Sequence, residues 1–381
     1  MMKLLILFVV GFFTNINTAF SQEILIDTIP FSMENKILVF KASINDISID
    51  FAFDTGAAIG LSNSNVLSKS DFVVKKGSQT ITDANLKKVK INNTVIKKMN
   101  IGKHEITNVK GVFYDMEFLN CQAMYLLGMD VIGQFNWKID FSRKLIYVSN
   151  MPFLISENAQ EIPVSNSRHR PKTSLTINGI NYSNCLIDLG YTGVLEIPEN
   201  GQMNQLYQQL KGTGKTSIGL TSNMSVTGLG KADTVKTILL ETVKIGSFNF
   251  SNISCAVFEK TGFKIGIGFF SSQAMDLVLN NTNEKFYLVQ NPQPEPSLQP
   301  LDARVSYQNG KLIITALNLN NNSSAKNLSI GEIVKTIDGK KAADFKDNCE
   351  FLLEYYHTKN ASILVEKEDG SLVTIKRSKL I

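Results

Sequence analysis

Two aspartates stand out as candidates for chemistry. Each ends an apolar run, and each is followed two residues later by glycine: Phe51-Ala52-Phe53-Asp54-Thr55-Gly56-Ala57 and Ile187-Asp188-Leu189-Gly190. Glycine permits the sharp turn that presents an acid at a strand end and lets backbone N–H groups approach it. Two carboxyl groups held close together cannot both ionise, so they share a proton. One then serves as general base toward a water, and the other, protonated, as general acid toward a carbonyl oxygen or a leaving nitrogen. Such a pair titrates as a unit, so the sequence assigns base and acid to neither residue. This chemistry requires no metal, no cofactor and no covalent intermediate, and no cofactor is expected. The other reactive residues offer less. His104, His169 and His357 are isolated, and Cys121, Cys185, Cys255 and Cys349 lie far apart without metal-ligand spacing.

Elements must bring Asp54 to Asp188, and a repeat supplies them. Ile44-Asn45 stands ahead of Asp54 as Ile177-Asn178 stands ahead of Asp188. Ile101-Gly102 through Asn108-Val109 answers to Ile245-Gly246 through Asn252-Ile253, and both run into apolar stretches. Leu126-Leu127-Gly128 answers to Gly266-Ile267-Gly268. Both copies close on a strand, Lys144-Leu145-Ile146-Tyr147-Val148 and Lys285-Phe286-Tyr287-Leu288-Val289. Four landmarks in one order indicate a duplicated unit. The short alternating runs with turn residues between them predict a mostly β architecture. Ile47-Ser48-Ile49-Asp50-Phe51 is such a half-buried strand.

Length and composition bound the rest. The 381 residues predict two or three domains, and 43% hydrophobic with 19% charged residues fits a globular chain with a substantial core. The net charge of +5 is spread thinly, which argues for a solvated surface and against nucleic-acid binding. Residues 1–21 read as a signal peptide: Lys3, an apolar run from Leu4 to Phe13, and small residues around Ala19-Phe20-Ser21. The mature protein is expected to be exported, periplasmic or extracellular, with no stable membrane span, and monomeric. Export permits disulfides, but a chain of this length does not need them, and the favoured reading of the cysteines is buried free thiols. Four of the nine prolines fall in 291–300, which marks a stiff linker.

The chain resembles the pepsin/retropepsin-like aspartic proteases. Phe53-Asp54-Thr55-Gly56-Ala57 carries the likeness, with Ile187-Asp188-Leu189-Gly190 a weaker second copy. Leu126-Leu127-Gly128 and Ile265-Gly266-Ile267-Gly268 resemble the family element that packs behind the active-site loop. The resemblance implies two β lobes, 22–150 and 151–290, with the active site between them. It also implies an extended peptide or protein substrate, catalysis by Asp54 and Asp188, and loop support from Thr55, Gly56, Ala57, Leu189 and Gly190. A β-hairpin flap is implied too, with candidates between Gly77 and Lys98 and between Gly212 and Gly230. The family favours Thr or Ser after each Asp and a small residue after each Gly. Thr55 and Ala57 fit, whereas Leu189 and Tyr191 do not. Leu189 is expected to remove hydrogen bonds that brace the two loops. An impaired pseudo-protease that only binds peptides is therefore the alternative reading.

Residues 301–381 read as strands around one helix. Strands are expected at 311–316, 330–339, 362–365 and 372–375, and a helix from Asp347 to Tyr356. Gly331-Glu332 through Ile337-Asp338-Gly339 resembles a PDZ domain of the bacterial protease-linked kind. That likeness implies capture of a peptide ligand by strand addition at a sheet edge.

Overall fold

The computed structural model describes residues 24–378, apart from 34–35, 84–86, 168–169, 223, 292–299, 321 and 356–357. The expected signal peptide lies outside the described residues, as does all but the two ends of the expected linker. The described chain is mostly β, and none of its helices is long and apolar enough to cross a membrane.

An antiparallel layer of six strands runs through the middle of the molecule. Its order is Ala159–Ile162, Lys285–Gln290, Met275–Asn280, Asn136–Asp140, Leu145–Ser149, Ile26–Ser32. The halves of the chain meet at its centre, where Leu277 pairs with Ile139 and Leu279 with Trp137. These four side chains are fully buried in a core drawn from residues 29 to 288, so apolar burial joins the halves.

Above this layer each half repeats one set of pairings. Ile47–Phe53 lies parallel to Met124–Leu127, and Ile180–Asp188 lies parallel to Lys264–Gly266. Leu61–Ser62 and Leu195–Pro198 each pair with two further strands in the same senses. The landmarks of the sequence repeat have a backbone basis. Asn45 and Asn178 both turn with φ 47°, Gly102 and Gly246 with φ 56° and 59°, and Asn108 and Asn252 with φ 55° and 57°. Asn and Gly are the residues that tolerate this left-handed region.

Two registers of the expected repeat need correction. Leu145 pairs with Asp140 and Lys285 with Asn280, so Lys144 corresponds to Glu284 and not to Lys285. Phe53 pairs with Leu127 and Ile187 with Ile265, and Gly128 and Gly266 each cap a short helix. The counterpart of Leu126-Leu127-Gly128 is therefore Lys264-Ile265-Gly266. The alternating glycines at 266 and 268 made the sequence match slip by two.

Residues from 301 onward have their own buried cluster, centred on Ile314, Ile337, Phe351, Val365 and Ile375. Strands Ala303–Gln308, Lys311–Asn318, Ile333–Ile337, Ser362–Lys367 and Leu372–Lys376 surround the helix Asn348–Tyr355. The third strand is shorter than expected because Gly331 turns with φ 81°, and Asp338-Gly339 forms the expected tight turn. This module does not hang free. Leu317 and Asn318 pair with Leu220 and Gly219, which adds the module to the sheet of the second half.

The module is also tied covalently to the first half. Cys121 and Cys349 form a disulfide, which overturns the expectation of four free thiols. Cys121 ends the helix Glu117–Cys121 and Cys349 lies in the first turn of Asn348–Tyr355. The fold sets these helices side by side across a sequence separation of 228. Cys185 and Cys255 are free and buried, as expected. Removing a native disulfide typically costs about 2 to 5 kcal/mol. We expect Cys349→Ser to lower stability in that range in denaturant melts and to speed proteolysis of residues 301–378. Unchanged melts and proteolysis would show that the link carries no load.

Candidate active site

Asp54 and Asp188 arrive at the ends of equivalent strands and are held by equivalent loops. Asp54 Oδ1 accepts the N–H groups of Gly56 (2.7 Å) and Ala57 (3.0 Å). Asp188 Oδ1 accepts those of Gly190 and Tyr191, both at 3.1 Å. Behind each loop a short helix begins. Met129 N–H donates to the Ala57 carbonyl (2.8 Å) and Ile267 N–H to the Tyr191 carbonyl (2.9 Å). The capping glycines are required by close approach. A Cβ on Gly128 would lie 2.5 Å from the Ile59 carbonyl carbon, and one on Gly266 would lie 2.2 Å from the Gly193 oxygen.

The two loops interlock. A Cβ on Gly56 would sit 2.5 Å from the Asp188 Cγ, and one on Gly190 would sit 2.4 Å from the Asp54 Cγ. Each carboxyl group therefore rests against the glycine of the opposite loop. Asp54 and Asp188 are close enough to share a hydrogen bond. Thr55 is fully buried between the loops. Its hydroxyl donates to the Ile187 carbonyl (2.7 Å) and accepts from Leu189 N–H (2.9 Å). Asp54, Thr55, Gly56 and Ala57 thus lie on a loop that faces the one carrying Asp188, Leu189 and Gly190.

The expectation that Leu189 removes loop-bracing hydrogen bonds holds only for its side chain, which is buried in the central core. Its backbone N–H still joins the brace, because Thr55 serves both loops from one side. Ala57 leaves room in the first loop, whereas Tyr191 fills the second. The Tyr191 ring lies 4.5 Å from Lys264 Nζ, and its hydroxyl bonds to Glu196. Lys264 pairs with Glu196 at 3.1 Å. The sequence offered no sign of this charged group, because Glu196 and Lys264 stand in unremarkable strand runs.

Burial raises the pKa of Asp54, and the negative charge of Asp188 raises it further; the loop N–H donors pull the other way. Burial also raises Asp188, opposed first by the cation of Lys264. Both pKa values are therefore raised, with burial the first cause in each. No cluster of metal-ligating side chains occurs among the described residues.

Both flap candidates are hairpins, and their tips touch. The first is built from Val73–Thr82 and Lys88–Ile101, and the second carries Met224–Ser225 and Gly228–Leu229. Asp83 Oδ2 accepts from the hydroxyls of Ser225 (2.6 Å) and Thr227 (2.5 Å) and from Thr227 N–H (3.3 Å). Val226, between them, packs on a cluster of the first half that includes Ala52, Leu61 and Ile81. Burial opposes ionisation of Asp83, but the hydroxyl and amide donors outweigh it and hold its carboxyl below the usual range.

Residues 40–131 match the family model described as aspartyl protease. Among solved structures, the chain is similar to a retropepsin-like aspartic protease from Rickettsia conorii, with 24% identity over 33% of this chain and 92% of that one, at a TM-score of 0.26. No curated protein matches the chain. The matched segment takes in Asp54-Thr55-Gly56-Ala57 and ends just past Gly128, so it spans the first loop and the element behind it.

Two expectations follow from this geometry. Thr55→Val leaves a buried carbonyl and a buried N–H without partners, which costs about 1 to 3 kcal/mol in denaturant melts; an unchanged melt would show that the hydroxyl braces nothing. Asp83→Asn should speed hydrogen exchange in residues 224–229. In the wild type the lowered Asp83 pKa makes the tip contact complete above the ordinary carboxylate range, and the contact is lost as pH falls through the lowered value. Protection relative to the intrinsic exchange rate at each pH should fall on acidification and in the variant; unchanged protection would contradict this.

Proposed function

We propose that this protein is an exported aspartic endopeptidase that hydrolyses peptide bonds with a water activated by Asp54 and Asp188. The observation that carries the reading is the interlock of the two loops, which sets each carboxyl against the glycine of the other. The repeated pairings support two related lobes, 22–150 and 151–290, on either side of the site. The match of residues 40–131 to the aspartyl protease family supports a peptide or protein substrate, bound in an extended conformation. The ionised carboxylate takes a proton from water as the oxygen attacks the peptide carbonyl. The protonated carboxyl gives its proton to the carbonyl oxygen. As the C–N bond of the resulting diol breaks, the first carboxyl passes the proton it took from water to the leaving nitrogen, and the second takes one back from a diol hydroxyl, which restores the pair.

Export is supported by the Cys121–Cys349 disulfide, since such bonds persist in oxidising compartments. Residues 301–381 are read as a PDZ-like module. Its strand Ala303–Gln308 and helix Asn348–Tyr355 border a cavity of about 40 Å³, walled also by Glu117 and Leu229 from the rest of the chain. That walling favours a bracing role over capture of a free peptide ligand. A monomer suffices, because one chain supplies both aspartates. The second reading, a peptide-binding protein with an impaired dyad, is favoured by one observation: Thr55 braces the loops alone, with Leu189 in place of a second hydroxyl.

Cleavage of a peptide library decides between them. Asp54→Asn and Asp188→Asn should each abolish turnover; a variant that still cuts would sink the protease reading, and tight binding without turnover by the wild type would select the second. Stability gives a further check. The dyad binds its proton more tightly in the folded chain than in the unfolded one. Its stabilising share is thus complete below the ordinary carboxylate value and is lost as pH rises through the raised one. Melts should therefore show Asp54→Asn more stable than wild type at neutral pH, with the gap closing toward about pH 4. A gap that is constant with pH would contradict the raised dyad.

A further inference from the structure

The two halves differ in what stands beside the aspartates at matched positions. In the first half Leu61 lies opposite Leu126, one residue before Leu127, the partner of Phe53. In the second half Glu196 lies opposite Lys264, one residue before Ile265, the partner of Ile187. An apolar cross-strand pair on one side of the dyad is thus an ion pair on the other. It is deeply set: the Glu196 side chain is 2% exposed and that of Lys264 15%. Thr261 also donates its hydroxyl to Glu196.

A buried ion pair adds little net stability over a well-packed apolar pair, and the first half shows that this fold accepts leucines at both positions. The difference is electrostatic. We propose that Lys264, clamped between Glu196 and the ring of Tyr191, breaks the equivalence of the two aspartates and keeps the negative charge of the dyad on Asp188, leaving the shared proton on Asp54. This rests on the proton-sharing reading above and adds the assignment that symmetry withholds.

The ionisable groups around Asp188 are Asp54 on the facing loop, Tyr191 on its own loop, Lys264, Glu196, and the Cys255 thiol on the strand beyond. Lys264 is the only cation among these. Its pull on Asp188 exceeds the opposing push of Glu196. Arg170 is a further cation nearby: it donates to the carbonyl of Gly56, the glycine that packs against the Asp188 carboxyl, at 3.4 Å. Tyr191, an oversized residue in the second loop, gains a purpose here: its ring holds the lysine in place and its N–H binds Asp188. In the reaction Asp188 takes the proton from water and Asp54 gives its proton to the carbonyl oxygen. Lys264 acts through Asp188 and is a positioning residue.

The test is a carboxyl-carbon NMR titration of the full chain carrying labelled aspartate, with Asp54→Asn and Asp188→Asn used to assign the two resonances. In the wild type Asp188 should ionise at lower pH than Asp54; the opposite order overturns the proposal. The variant Glu196→Leu with Lys264→Leu copies the leucine pair of the first half and avoids stranding a charge. Loss of a neighbouring cation should move ionisation of Asp188 up by about one pH unit, with about tenfold less activity on the acid limb of the rate profile. Lys264→Arg should keep the wild-type order. A folded double variant with unmoved titrations overturns the proposal, as does a loss of rate equal at every pH, which marks a merely structural pair. The wild-type order decides by itself if the double variant does not fold. A chain that shows the expected order but cuts no peptide sinks the protease reading alone.

Discussion

One hydroxyl holds the candidate site together. Thr55 donates to the second loop at Ile187 and accepts from it at Leu189, at the point where the strands of the two halves end. Everything on either side is arranged to bring that atom and the flanking glycines into register. The parallel strands fix where each loop starts, and the short helices behind Gly128 and Gly266 fix where each loop returns. With no Cβ at Gly56 or Gly190, each carboxyl packs against the opposite loop, where burial, and for Asp54 also the charge of Asp188, raises the pKa.

Several further ties keep the halves from drifting apart. The six-strand layer joins them through Trp137, Ile139, Leu277 and Leu279. The hairpin tips meet at Asp83, Ser225 and Thr227. The C-terminal module adds a third bridge, since it extends the sheet of the second half and is bonded to the first through Cys121–Cys349. The module thus spans the same division that the dyad spans, and it pairs with Thr216–Thr221, the strand that leads into the second hairpin tip.

Much of this was legible in the sequence, and the parts that were not have a common cause. Asp54-Thr55-Gly56-Ala57 could be read because loop chemistry is local. The repeat could be read because left-handed turns call for Asn or Gly, which recur at 45 and 178 and at 102 and 246. The partners of Cys121, Asp83 and Glu196 could not, because each lies on an element brought near only by tertiary folding. Leu189 misled for a different reason. A sequence displays side chains, and the bond that matters is made by its backbone N–H. The two-residue slip at Gly266 hid the contrast between Leu126 and Lys264, which only strand register reveals.

The central claim is that Asp54 and Asp188 act as one acid that holds a single proton. The most direct measurement is the difference in bound protons between the wild type and the Asp54→Asn, Asp188→Asn double variant, followed by potentiometric titration. The account predicts about one extra proton on the wild type between about pH 5 and 6, where ordinary carboxyl groups have lost theirs. A difference near zero across that range would mean that the two aspartates ionise independently, and it would contradict the account.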